Sequence, residues 1–559
     1  MRQLLAILIT ALTITLLGAL SGCTERGQSS KDLLTNELLK KLPDTTVAFS
    51  LVDFNGSGYQ NLRKSLEKTK RSSKSENLSA SNIIPNLIED RPLLDVLKNI
   101  IKASKDSGLI SPDGRTQLQK FFHQGIYFLS NGAPSAQTFL HLGFLGKHRT
   151  KESALMLLKN LESSFVNSGF QCDRKNEENS TILSVSMPSF PKRVFFFVDE
   201  LYVGFATQKA ILTHLGQHER PATQDSLVTS EEYLRVTSDI SPIPNPLGIS
   251  FISLKKLVPQ LEHLSSPQLK QASLSWSSLP MDSIFIQDSF SNQRLVDIKL
   301  AIKTDRHAQL EMLETLSASE FKRSPVLLPS NAAFILTSNV STSKADPTTK
   351  IPSALVNTSP SLSKLLKAVT SISLALRTNE SGSPVPDVFL SLSVKEGKQV
   401  VTEAKELANR VMMMTGISPQ WSTKKIFNTK VDFFNTLIGA GIYLAQEEGT
   451  GALLISSSEM GMRDMLKAVQ KETNPFKKKF TNVLSANSNA SNLSSLYIDF
   501  NRTASLMDSI NGTLAMMTGG NSPLNEALDT SWMRTLGFLG ANAAYSKGII
   551  SIRISQIPQ

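Results

Sequence analysis

The sequence predicts an α+β chain made of two similar repeats, each a largely antiparallel sheet with helices packed on one face. Two observations carry that reading. Apolar segments with strand character, some joined by tight turns, alternate with segments of helical periodicity. The same order of segments is then met a second time, in a chain of 559 residues, a length that exceeds one ordinary hydrophobic core.

The paired segments run in order. "LPDTTVAFSL" at 42–51 opens the first half as a strand, and "LPSNAAFILT" at 328–337 opens the second. "NGAPSAQTFLHL" at 131–142 aligns without gaps to "SGSPVPDVFLSL" at 381–392, so that Gly132, Pro134, Phe139, Leu140 and Leu142 recur as Gly382, Pro384, Phe389, Leu390 and Leu392. "KESALMLLKNLESSFVNSG" and "VTEAKELANRVMMMTG" follow as helices. Each ends on Gly, the residue that stops a helix in the left-handed conformation. "VFFFVDELYVGFA" at 194–206 reads as a hairpin turning at Asp199-Glu200, and "IYLAQEEGTGALLIS" at 442–456 as another, with Gly449 and Gly451 in its turn. The helical "QKAILTHLGQ" and "GMRDMLKAVQ" come next, then the strands "GISFISL" and "SSLYIDF". Trp276 pairs with Trp532, and "VDIKLAI" with "ISIRISQ". The first repeat is expected over 32–304 and the second over 305–559, with "DRHAQLEMLETLSASEFKR" as the helix that opens it.

The N-terminus has its own chemistry. Arg2 precedes an apolar run from Leu4 to Leu20 and a small-residue site, the three parts of a secretory signal. The run is short for a membrane span, which needs about 20 apolar residues. It ends in Leu20-Ser21-Gly22-Cys23, which resembles the lipobox of bacterial lipoproteins at all four positions. The resemblance implies cleavage between Gly22 and Cys23, removal of 1–22 as a signal peptide, and acylation of Cys23 by palmitate-type chains. Residues 23–31 are then a polar, lipid-anchored tether. Two or more acyl chains hold a protein stably on a bilayer, where a single one is marginal. Thr24 after the cysteine, in place of Asp, implies the outer membrane in a cell that has two. The paired "LP" openings and duplicated plan resemble a poorly characterised group of duplicated bacterial envelope proteins, which implies envelope residence and supplies no catalytic residue.

Composition narrows the partners. The chain is 40% hydrophobic and 19% charged, with a formal net charge of +11. It is a globular, basic chain, suited to an anionic surface polymer, to lipid headgroups or to an envelope protein. No nucleic-acid motif is present. With Cys23 acylated, Cys172 is the remaining cysteine and no intrachain disulfide forms. Basic residues concentrate in "RKSLEKTKRSSK" from Arg63 and in Lys477, Lys478 and Lys479.

All seven histidines, His123, His141, His148, His214, His218, His263 and His307, precede the second repeat's core. His214 and His218 stand one helical turn apart and are the metal candidates. Gly216 between them, and the lack of the metalloprotease Glu after the first His, favour a solvent-facing helix end instead. Ser253-Leu254-Lys255-Lys256 and Ser361-Leu362-Ser363-Lys364 fit Ser-x-x-Lys, but without the accompanying Ser-Asp-Asn and Lys-Thr-Gly elements. Met412-Met413-Met414 and Met516-Met517 are read as core, with an adaptable binding surface as the alternative. No cofactor is expected and catalysis is not favoured. The function expected is a lipid-anchored, non-enzymatic binding or assembly module. The alternatives are a carrier of a lipid or other apolar ligand and an envelope enzyme without a recognisable motif.

Cys23→Ala is expected to release or misprocess the protein, as fractionation and N-terminal mass would show; unchanged, detergent-dependent membrane retention contradicts the lipobox reading.

Overall fold

The computed structural model of the protein describes residues 33–61, 102–108, 121–131, 140–177, 180–187, 190–209, 226–238, 243–262, 276–291, 293–307, 331–339, 360–379, 385–395, 400–414, 416–435, 441–449, 451–471, 491–517, 530–534 and 536–557, with isolated positions between them. The expected signal peptide and tether, with Gly22 and Cys23, both basic runs, and His214 and His218 lie outside the described residues. The chain divides into two compact units, Met1–Lys303 and Thr304–Gln559.

In the first unit the strands are β1 (Thr46–Asp53), β2 (Phe122–Asn131), β3 (Leu140–His148), β4 (Gln171–Glu177), β5 (Ser180–Met187), β6 (Phe190–Asp199), β7 (Tyr202–Ala206), β8 (Pro246–Ser253), β9 (Met281–Phe290) and β10 (Arg294–Ile302). They pair antiparallel in the order β10-β9-β8-β1-β2-β3-β7-β6-β5-β4. Helices bounded among the described residues are α1 (Glu37–Lys40), α2 (Lys151–Asn167), α3 (Glu231–Thr237) and α4 (Leu254–Glu262).

The second unit holds β11 (Phe334–Asn339), β12 (Val369–Arg377), β13 (Asp387–Val394), β14 (Ser422–Ile426), β15 (Thr429–Asn435), β16 (Gly441–Gln446), β17 (Leu453–Ser456), β18 (Ser491–Asp499), β19 (Phe538–Ser546) and β20 (Ile549–Ile557). Their antiparallel order is β20-β19-β18-β11-β12-β13-β17-β16-β15-β14. Its helices are α5 (Pro360–Ala368), α6 (Val401–Met414), α7 (Glu459–Lys471), α8 (Phe500–Met517) and α9 (Ser531–Arg534). The α+β, largely antiparallel expectation holds.

Helices on one face do not. Successive strand residues point to opposite faces of a sheet, and here both faces are apolar. Phe144 and Phe196 pack with Ala154, Leu157, Leu158, Leu161 and Phe165 of α2. Their chain neighbours Leu145 and Phe197 pack with Leu38 and Leu39 of α1 and Tyr233 and Val236 of α3. In the second unit Tyr443 meets Met462, Met465 and Leu466 of α7, while Leu444 meets Leu365 of α5 and Ala404 of α6. Helices therefore cover both sides of each sheet. The sequence carried the reason: "VFFFV" and "IYLA" are unbroken apolar runs, the mark of strands buried on both faces. Each fully buried Phe or Leu contributes about 1.5–3 kcal/mol, so a bare face would forfeit several such terms.

The glycine stops are as read. Gly169 (φ +82°) and Gly416 (φ +79°) adopt the left-handed conformation. Gly169 N donates to Val166 O (3.0 Å) and Phe170 N to Phe165 O (3.1 Å); Gly416 N donates to Met413 O and Ile417 N to Met412 O, both at 3.0 Å. These are the paired bonds of the Schellman motif. Both expected hairpins also form, β6–β7 and β16–β17. Asp199 closes the first, its Oδ1 accepting from the backbone of Leu201 (2.8 Å) and Tyr202 (2.6 Å). The outer hairpins β4–β5 and β14–β15 were not expected. "QCDRKNE" and "STKKI" lack the alternation that announces a strand. Their charges suit edge strands, where they discourage pairing with another chain.

One buried ion network ties the second unit together. Arg377, at the end of β12, is 2% exposed. Its Nε donates to Asp387 Oδ2 at the start of β13 (3.0 Å), and its Nη1 to Asp464 Oδ2 on α7 (2.8 Å) and Asn331 Oδ1 (3.1 Å). Asn379 donates to the second oxygen of Asp387 (3.2 Å), and the guanidinium lies 5.0 Å from the Phe389 ring centroid. Removing one partner of such a pair leaves a buried charge uncompensated, at a cost of about 3–5 kcal/mol. Arg377→Met is expected to destabilise the second unit by that amount in denaturant unfolding of the full chain; a loss under about 1 kcal/mol contradicts this account.

Candidate binding surface

The residues that sequence reading singled out for chemistry are mostly occupied by structure. Ser253 Oγ donates to Glu232 Oε2 (2.7 Å) and accepts from Lys256 N (3.1 Å), so it caps α4. Ser361 Oγ donates to Glu406, and Lys364 is exposed. Glu200 pairs with Lys151 beside the turn that Asp199 closes. His307 is exposed; His141 Nδ1 lies 3.3 Å from Thr207 Oγ1. Cys172 on β4 is half-buried, and burial, then Glu162, pushes its thiol up, away from the reactive thiolate.

Two histidines do come together. A bulge in β2 sets His123 between Phe122, the partner of His148, and Gln124. Asn55 Nδ2 donates to His123 Nδ1 (2.7 Å), and Arg149 donates to Asn55 Oδ1, which fixes the amide's orientation. Burial, then the charges of Arg149 and Lys147, lowers the imidazole's pKa. Because Nδ1 accepts from Asn55, the neutral ring carries its proton on Nε2. His148, buried, donates from Nε2 to the Asp199 carbonyl (3.0 Å). The arrangement is a hydrogen-bonded corner built from three strand ends. No local signal marks it, because β-pairing brings together residues 25 positions and more apart.

Asp53 ends β1 beside this corner. Its Oδ1 accepts from Asn55 N (3.1 Å), and its buried Oδ2 has no hydrogen-bond partner. Gly56 closes over it, since a Cβ there would meet Oδ2 at 2.9 Å. Burial raises the carboxyl above its usual range, against the backbone N–H groups of Asn55 and Gly56.

The exposed apolar group lies at the end of α6. Its first turns are held to the sheet: Lys405 donates to Asp432 (3.2 Å) and covers the Trp421 ring, whose Nε1 donates to Asn409 (2.7 Å). The last turn is different. Val411 is 52% exposed, Met413 58%, Met414 87% and, past the glycine stop, Ile417 41%. Val411 and Met414 stand three apart and share a helix face; Met413 and Ile417 add exposed apolar surface at the same helix end. The core reading of Met413 and Met414 is therefore corrected, and the adaptable-surface alternative fits. At the matching stop of α2, Phe165 is buried and packs edge-on against Phe170 at 5.5 Å. The Met516-Met517 side chains and that of Trp532 lie outside the described residues.

Among the described residues no group of three His, Cys, Asp or Glu could hold a metal, and no helix is long and apolar enough to cross a membrane. Comparison with protein-family models, curated proteins and solved structures finds no match to this chain.

Asp53 gives a pH test. Its folded carboxyl holds a proton to higher pH than the unfolded one, so stability falls as pH rises from the ordinary carboxylate range through the raised folded value. Asp53→Asn keeps the Oδ1 acceptor and removes that loss. The variant's stability relative to the parent is expected to rise between about pH 4 and pH 7 in urea unfolding; a flat or falling difference contradicts the assignment.

Proposed function

We propose that the protein is a lipid-anchored, exported component of the bacterial cell envelope that works as a binding or assembly module. Its signal peptide 1–22 is removed and acylated Cys23 holds it on a membrane, the outer one where there are two. The lipobox Leu20-Ser21-Gly22-Cys23 supports the anchor. The mature chain is a duplicated module: replacing β1 through β10 by β11 through β20 turns the first strand order into the second at every position, and both helix stops use the same paired bonds.

The observation that carries the binding role is the patch of Val411, Met413, Met414 and Ile417. Flexible thioethers grouped on a helix end suit a partner surface that they can repack against. The partner in this reading is another envelope protein. The two stops differ in chemistry: the first packs Phe165 on Phe170 and exposes Val166, and the second exposes two methionines.

A photo-crosslinking residue at Met414 in the full chain, in living cells, is expected to capture one stoichiometric envelope protein. That adduct is expected to disappear with Met413→Gln or when Cys23→Ala removes the anchor. Labelling at Met414 no different from labelling at Leu234, an exposed apolar residue of the first unit (52%), contradicts the proposal.

A further inference from the structure

The turn between β14 and β15 breaks two local rules at once. Its central residues, Phe427 (φ +48°) and Asn428 (φ +67°), are both left-handed. This is a two-residue hairpin geometry that Asn-Gly or Gly-Gly fills easily. Asn tolerates it; a bulky aromatic there is strained. Lys425 and Lys430 are direct partners across the same hairpin, where like charges repel. The aromatic strains the turn, and the lysine pair adds repulsion beyond what edge protection needs. Local rules are broken together mainly where a functional site requires it.

What the tip presents is coherent. The Phe427 ring is exposed, with the exposed Lys467 of α7 at 5.9 Å from its centroid. Lys425 and Lys430, on the two strands beside the turn, are exposed as well. The nearby carboxylates each have a hydrogen-bonded cation. Glu459 takes Lys424 and Arg463 (2.8 Å), and Asp432 takes Lys405 (3.2 Å) and Thr423 (2.6 Å). The field at the tip is therefore positive around an apolar ring. The outer hairpin of the first unit, β4–β5, carries Asn176 and Glu177 beside its turn, so this chemistry belongs to the second unit.

We propose that the β14–β15 tip docks on the anionic lipid surface of a bilayer. Phe427 enters the headgroup boundary, and Lys425, Lys430 and Lys467 face the lipid phosphates. An apolar side chain ringed by cations is the composition that binds in this interface. The docking rests on the membrane residence proposed above, with the anchor and the tip as separate contacts.

The test uses the full chain with Phe427→Trp in vesicles whose acyl chains carry bromine. The vesicles are phosphatidylcholine alone or about three parts phosphatidylcholine to one of phosphatidylglycerol. Quenching beyond that of the parent chain is expected only with phosphatidylglycerol. Lys425→Gln and Lys430→Gln are each expected to lower the ratio of docked to undocked tip about fivefold, and raised salt to do the same. A chain that pellets with the vesicles but shows no excess quenching overturns the docking. Equal quenching in both lipids overturns the assignment to anionic lipid. Quenching with phosphatidylglycerol from a chain that does not pellet with phosphatidylcholine supports the tip and denies the anchor. Should Phe427→Trp lower the melting temperature, hydroxyl-radical labelling of Phe427 in the unsubstituted chain decides: suppression by phosphatidylglycerol vesicles alone supports docking, and unchanged labelling overturns it.

Discussion

A sheet that is apolar on both faces must be covered on both, and most of the architecture follows from that constraint. Phe196 and Phe197 point to opposite sides of β6, as do Tyr443 and Leu444 of β16. Neither strand could sit in a sheet with one wet face. The helices are accordingly spent on the sheet: α2 against one side and α1 with α3 against the other, α7 opposite α5 and α6. Polar residues buried in these layers need partners, and the Arg377 network shows how. The charge is tolerated because two carboxylates and an amide surround it, and it fixes α7 against the ends of β12 and β13.

Against that background, the surfaces that helices leave open acquire meaning. The end of α6 projects four apolar side chains, and the outer hairpin of the second unit projects a strained aromatic between lysines. In the first unit Phe165 packs against Phe170 at a helix stop, and Glu177 stands near the outer hairpin turn. Two units with matching strand orders thus carry different exteriors. Stability resides in the layers, and the chemistry that distinguishes the units resides in turns and helix ends, where substitutions disturb the core least.

The legible parts of the fold were those with local physical signals. Glycine stops at Gly169 and Gly416, the hairpin turning on Asp199, and the apolar runs of β6 and β16 are written in neighbouring residues. The outer hairpins were missed because polar edge strands carry no apolar alternation. The second covered face was missed although "VFFFV" announced it. Of the candidate surface, the methionine run is visible in the sequence, but its exposure depends on tertiary packing, which no periodicity reveals. The His123–Asn55–Arg149 corner had no local signal at all, since a bulge and strand pairing assemble it.

The proposed binding role requires that the exposed end of α6 be covered in the cell. Methionine oxidation tests it directly, because Met462 and Met465, fully buried, are internal references for Met413 and Met414. In purified protein, peroxide should oxidise Met413 and Met414 well ahead of the buried pair. In intact envelopes those two should be protected, while Met462 and Met465 stay as slow as before. Equal oxidation of Met413 and Met414 in both preparations would mean that nothing covers the patch, and the binding role assigned to it would be wrong.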